Sequence, residues 1–335
     1  MGAEPRDPPQ ETAAPPDGVS AFVARVLDQL TLSAWLPAAL LTASAALLVR
    51  FRIQEAVDVP AALTGLTDDP VRLLVLTVPV VILATLVVQA FSFEAIRTLE
   101  GYWRRRGPAS AFRTLMIRRH VRRKRALARR RLAAAQRAFA VARESLRQDH
   151  PPNVVAALEA QAEEEDPPPL TPAEAETFDG MSWRTRCNPW DLARVDHITA
   201  EQTDYPLTSR VLPTRLGNVI RATEDGLRHA GQDVEGFALR RRGTVPERVR
   251  LQHDQFRSRL DMYCTLVFAG VALAVLAVVL LAGKVAALPL VATTTVFVLL
   301  AATSYGAAIA SARGYCATLR EMDAAETQRA TPAAS

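Results

Sequence analysis

The chain has 335 residues, 49% of them hydrophobic, with a net charge of +5 and three cysteines. So few cysteines exclude a disulfide framework and read as free thiols on a reducing side. The length alone would suit about two soluble domains; the charge distribution excludes that reading, because long uncharged runs alternate with highly charged ones.

Residues 1–18 mix Pro5, Pro8, Pro9, Pro15 and Pro16 with Glu4, Asp7, Glu11 and Asp17. A signal peptide needs a basic start followed directly by an apolar run, so this stretch is expected to be a disordered tail. Over 19–93 an interfacial helix precedes a first hairpin. Phe22, Val26 and Leu30 share one face of that helix, with Val23 and Leu27 beside them. Next come 21 uncharged residues between Asp28 and Arg50, and another 21 between Arg72 and Glu94. Crossing the hydrocarbon core takes ~20 apolar residues at ~1.5 Å each. Both runs are predicted spans.

The segment 94–148 predicts a basic helix. From Gly101 to Gln148 there are fifteen arginines and one lysine against a single acid, Glu144. From Ala109 onward there is no Pro or Gly, Pro108 suits the first turn, and Ile117, Val121, Ala128, Leu132, Ala135, Phe139, Ala142 and Leu146 form an apolar seam. The segment 149–182 reverses the charge, with nine acids and no Lys or Arg up to Asp179. Its prolines exclude one continuous helix; a short helix near 154–165 inside an otherwise linker-like stretch is expected.

Over 183–261 the composition is that of a small helical domain, with Thr214 as an N-cap. A second hairpin occupies 262–312: 22 uncharged residues separate Asp261 from Lys284, and 28 separate Lys284 from Arg313. A tail, 313–335, follows. The predicted fold is all-α: four transmembrane helices in two hairpins, with a helical domain inserted between spans two and three. Basic residues flank that domain, Arg97 and Arg104 to Arg106 on one side and Arg248, Arg250, Arg257 and Arg259 on the other. The positive-inside rule then predicts a cytoplasmic domain and two cytoplasmic termini.

Three partners compete for the basic helix. Anionic lipid headgroups suit its membrane-proximal part, with Arg104, Arg105, Arg106, Arg118, Arg119, Arg122, Arg123 and Lys124 as candidate contacts. An acidic protein surface, the chain's own 149–179 included, is the second. Nucleic acid is disfavoured, since past Trp103 only Phe112 and Phe139 could stack on bases. Within the spans, Gly306, Ala310 and Gly314 recur every four residues. That spacing fits close packing among the spans or a homo-oligomer.

No catalytic motif, metal-ligand spacing or cofactor-binding loop emerges, so no enzyme activity and no cofactor are expected. An enzyme would need Asp191, His197, Arg215 and Glu224 to converge. The expected role is a scaffold or sensor docked on the inner leaflet, with an oligomeric channel as the alternative.

Two short motifs stand out: Glu100-Gly101-Tyr102-Trp103 and Leu212-Pro213-Thr214-Arg215-Leu216-Gly217-Asn218. With the two-plus-two span layout, they resemble a group of uncharacterised bacterial four-span membrane proteins of the inner membrane. The Ala- and Arg-rich composition suits a bacterium of high GC content. The resemblance implies no activity. It singles out Glu100, Tyr102, Trp103, Arg215 and Asn218 as a candidate motif contact. The plainer reading makes Tyr102 and Trp103 headgroup-level aromatics and pairs Arg97 with Glu94 or Glu100.

Overall fold

The computed structural model describes residues 32–61, 64, 70–103, 107–227, 234–241, 243 and 245–330. The expected N-terminal tail, the interfacial helix over Phe22 to Leu30, and Arg104 to Arg106 lie outside them. Regular structure among the described residues is helical. Four described helices are long and apolar enough to cross a membrane, over Trp35–Gln54, Val78–Glu100, Glu247–Leu281 and Ala287–Ala325. The protein is a four-span helical membrane protein with a large helical insertion between spans two and three.

Helix α1 (Leu32–Gln54) and helix α2 (Pro70–Glu100) carry the first two spans. Helix α3 (Pro108–Asp149) is the basic helix, α4 (Pro152–Glu163) and α5 (Pro172–Asp179) come from the acidic segment, and α6 (Pro189–Thr203) and α7 (Arg215–Gly226) follow. Helix α8 is Val234–Arg241, and α9 (Glu247–Leu281) and α10 (Ala287–Ala330) carry the last two spans.

Two compact units divide the chain: Met1–Phe91 with Thr265–Ala301, and Ser92–Cys264 with Ala302–Ser335. In the first, Leu48 and Phe51 of α1 are buried with Leu273, Ala277 and Leu281 of α9. At Gly270 an added Cβ would stand 3.0 Å from the carbonyl oxygen of Phe297, so α9 and α10 approach there at backbone distance. Lys284 and Glu55 form an exposed pair at 3.1 Å. Val80, Leu83, Leu86 and Phe91 on α2 are exposed, as apolar side chains facing hydrocarbon would be.

In the second unit, prolines start helices rather than break them. Pro108, Pro152, Pro172 and Pro189 each sit in the first turn, where the missing N–H costs nothing. The acidic segment is therefore less of a linker than its composition predicts. Val154, Val155 and Leu158 of α4 bury against Ala135, Phe139, Ala142 and Leu146 of α3, with Trp183 and Val195 completing the cluster. The seam of α3 shifts from the expected one. Leu127, Ala134 and Ala138 are buried, while Leu132 is exposed. Small residues let α4 and α6 pack closely along that line. The expected C-terminal tail is also helical: α10 runs on to Ala330, and Tyr315, Cys316, Leu319 and Met322 are buried in a cluster with Leu216, Val219, Phe237 and Leu260.

Candidate functional site

The candidate site is built where α2 ends. Gly101 adopts φ +94°, Gly101 N–H donates to the Thr98 carbonyl at 3.1 Å, and Tyr102 N–H donates to the Arg97 carbonyl at 3.0 Å. These two bonds make a Schellman cap, which needs a left-handed residue, here glycine, just past the helix. The Trp103 indole N–H adds a bond to the Thr98 carbonyl at 2.7 Å. Its ring stacks on Phe112 of α3, centroids 5.5 Å apart.

Against this cap sits the start of α7. The Thr214 hydroxyl accepts from Gly217 N–H at 3.2 Å. Asn218, fully buried, ties down the residues just before the helix: its Oδ1 accepts from Leu212 N–H at 2.7 Å, and its Nδ2 donates to the carbonyls of Leu212 at 3.0 Å and Thr214 at 2.7 Å. The two caps interlock. A Cβ on Gly101 would lie 2.7 Å from the Pro213 ring, and one on Gly217 would lie 2.8 Å from the Glu100 carbonyl carbon. The two motifs thus meet through backbone and glycine, and the Tyr305 hydroxyl of α10 accepts from Leu216 N–H at 3.4 Å beside them.

Arg215 turns to Asp204, at 3.6 Å. Asp204 is nearly buried and also accepts two bonds from Arg313 of α10, at 3.2 and 2.5 Å. Asp204 was not singled out in the sequence, and nothing local signals its role: residues 195–209 hold no Lys or Arg, and its cationic partners come from Arg215 and the distant Arg313. Tyr102 is half-exposed, with Arg221 5.7 Å over its ring. Burial raises the Tyr102 phenol above its ordinary range, partly offset by the Arg221 charge. Arg97 pairs with Glu94 at 3.7 Å.

The basic helix divides into two halves with different company. In the far half, Arg131 pairs with Glu164, Arg143 with Glu159, and Gln136 donates to Glu163 at 2.9 Å. Here the chain's own acidic segment is the partner. In the near half Lys124 donates to the Pro206 carbonyl at 2.6 Å and Arg123 lies 3.8 Å from Glu201, so both are engaged within the domain. His120 Nδ1 lies 3.2 Å from the Tyr205 hydroxyl. Burial, then the charges of Arg123 and Arg119, lower the His120 pKa. Arg118, Arg119 and Arg122 are exposed and make no ion pair among the described residues. They recur at three- and four-residue intervals with Phe112 and Leu115, which are exposed too.

Of the four residues whose convergence would suggest an enzyme, Asp191 and His197 lie on α6, and Arg215 and Glu224 on α7. Arg215 and Glu224 stand near opposite ends of α7, about 13 Å apart along its axis. Glu224 is held by Arg210 at 3.1 Å and Arg221 at 2.7 Å, and His197 is exposed on α6. Among the described residues no group of three or more His, Cys, Asp or Glu side chains is placed to hold a metal ion. Gly314 of the small-residue series packs on Phe256, whereas a Cβ on Gly306 would meet nothing within 4 Å. No protein-family model matches the chain, and no curated protein or solved structure is significantly similar to it.

Proposed function

We propose that this protein is a non-enzymatic scaffold or sensor of the cytoplasmic leaflet. Its four spans anchor it, its inserted domain faces the cytoplasm by the charge rule, and the near half of α3 docks on anionic headgroups. The observation that carries this reading is one exposed face of α3 on which Arg118, Arg119 and Arg122 stand beside Phe112 and Leu115, whereas in the far half Arg131 and Arg143 pair with Glu164 and Glu159 of the acidic segment. A solvated charge run alone would not explain two large exposed apolar side chains on the same face. An interfacial helix does, since its apolar groups enter the headgroup layer while arginine stems lie along it. Each basic residue near an anionic surface contributes about 1 kcal/mol, so three arginines hold a helix that is already tethered.

An environment-sensitive fluorophore on Leu115→Cys, in a background lacking the native cysteines, tests the reading. In nanodiscs containing phosphatidylglycerol its emission shifts to the blue; in pure phosphatidylcholine nanodiscs, or after Arg118, Arg119 and Arg122 are changed to Gln, it does not. Equal emission in both lipids sinks the proposal.

A further inference from the structure

The acidic segment carries nine acids from Asp149 to Asp179, and five of them are engaged within the chain. Asp149 pairs with Arg186 at 3.3 Å, Glu159 with Arg143 and Glu164 with Arg131. Glu163 accepts from Gln136, and Glu174 closes the capping box of α5. The other four, Glu165, Asp166, Glu176 and Asp179, are exposed and make no ion pair among the described residues. Four arginines of α3 stand likewise: Arg129, Arg130, Arg137 and Arg147 are exposed and make no ion pair there either.

One chain does not bring these two sets together. At 3.6 residues per turn the four arginines fall about 120–160° around α3 from Ala135 and Ala142, which are buried in one cluster with Val154, Val155 and Leu158 of α4. The arginines therefore form a strip turned away from α4, about 27 Å long from 129 to 147. Val141 is 59% exposed and, with the exposed Ala133 and Ala140, gives the strip an apolar middle. On the acidic side the exposed Pro167 and Pro169 follow directly on Glu165 and Asp166.

We propose that the two surfaces meet between copies of this chain: the arginine strip of one takes the acidic patch of a second, and a twofold axis makes the contact reciprocal. The patches are complementary in charge, and charge around an apolar middle is the make-up of a non-obligate interface. Single exposed ion pairs are weak. Copies confined to one membrane nevertheless meet at raised local concentration, so a contact smaller than the usual ~800 Å² per partner still holds them together. Arg118, Arg119 and Arg122 take no part, so the proposal does not depend on lipid docking.

Full chains carrying a donor or an acceptor fluorophore on a C-terminal tag are co-reconstituted in phosphatidylcholine liposomes, and energy transfer between copies is measured. Wild-type copies are expected to pair at about 50 mM salt and to separate at about 500 mM. Arg129→Glu with Arg130→Glu and Arg137→Glu makes the strip acidic. Glu165→Lys with Asp166→Lys and Glu176→Lys makes the patch basic. Either variant alone pairs about tenfold more weakly or worse, because both contacts become like-charged. Mixed together, the two variants regain pairing, since every contact then joins opposite charges. Wild-type chains that stay monomeric at low salt overturn the proposal; a blue shift of a fluorophore on Ala133→Cys in phosphatidylglycerol then assigns the strip to lipid instead. Pairing insensitive to salt overturns it too, whether or not the variants fold. So does pairing that survives in either variant alone, or variants that keep the wild-type melting temperature and do not pair when mixed.

Discussion

Gly217 rests on the main chain of Glu100: a Cβ on Gly217 would overlap the Glu100 carbonyl oxygen and stand 2.8 Å from its carbonyl carbon and 2.9 Å from Leu212 Cδ1. The end of span two and the start of α7 are thereby in backbone contact, with no side chain between them. Gly217→Ala forces α7 away from the cap and is expected to cost about 1–3 kcal/mol, read by denaturant unfolding in detergent. Gly101→Ala adds backbone strain at φ +94° to its clash with Pro213. Gly226→Ala, where nothing lies within 4 Å, serves as the control and is expected to be neutral or mildly stabilising.

Asn218 makes three bonds to two residues ahead of its own helix. Asn218→Ala leaves buried backbone groups without partners and should destabilise by about 2–3 kcal/mol. Asn218→Asp places a carboxylate against the carbonyls of Leu212 and Thr214. Its deficit is expected to shrink in acid, where the protonated group donates once more. A thermal-unfolding series against pH distinguishes this from a packing defect, which would not respond.

Asp204 joins Arg215 and Arg313, so its removal and theirs are not equivalent. Asp204→Asn strips two cations of one nearly buried counter-ion and should cost about 2 kcal/mol. Arg215→Gln or Arg313→Gln leaves Asp204 one partner, and each should cost less than about 1 kcal/mol, since both arginines are partly exposed. Equal losses from all three would mean that the three do not act as one node.

His120 titrates below its ordinary 6.5 because burial and neighbouring arginines disfavour its charged form. The unfolded chain then binds more protons in that window, so stability rises with pH there. The His120 contribution is complete above about pH 6.5 and is lost as pH falls from there through the lowered folded value. His120→Asn should flatten this part of the stability profile. An unchanged slope would assign it to another group.

Cys187 donates to the carbonyls of Ala138 at 3.3 Å and Trp183 at 3.4 Å, and burial raises its pKa. Its thiol should alkylate slowly at neutral pH and faster once the domain is unfolded. Rapid labelling of the folded protein would contradict this placement.

Much of the architecture was legible in the order of residues. Uncharged runs of 21 to 28 residues show up as spans without reference to any neighbour, because hydrocarbon selects for length and composition alone. The basic helix was legible from Pro108 and the absence of breakers after it. The acidic segment was legible only in part. Its prolines at 152 and 172 look like interruptions in one dimension but open helices in three, and the burial of Val154 and Leu158 depends on α3 being alongside.

The candidate site was less legible. Its two motifs were visible as strings, but the contact between them depends on glycines at 101 and 217, which are separated by more than a hundred residues and carry no side chain to signal a partner. The same holds for Asp204, whose meaning comes from Arg313 at the far end of the chain. Sequence alone determined where hydrocarbon solvates the chain and where charge collects, since those are properties of local composition. Only the tertiary structure decided which arginines are neutralised and which remain exposed, because pairing is a matter of distance between segments that the linear order does not specify.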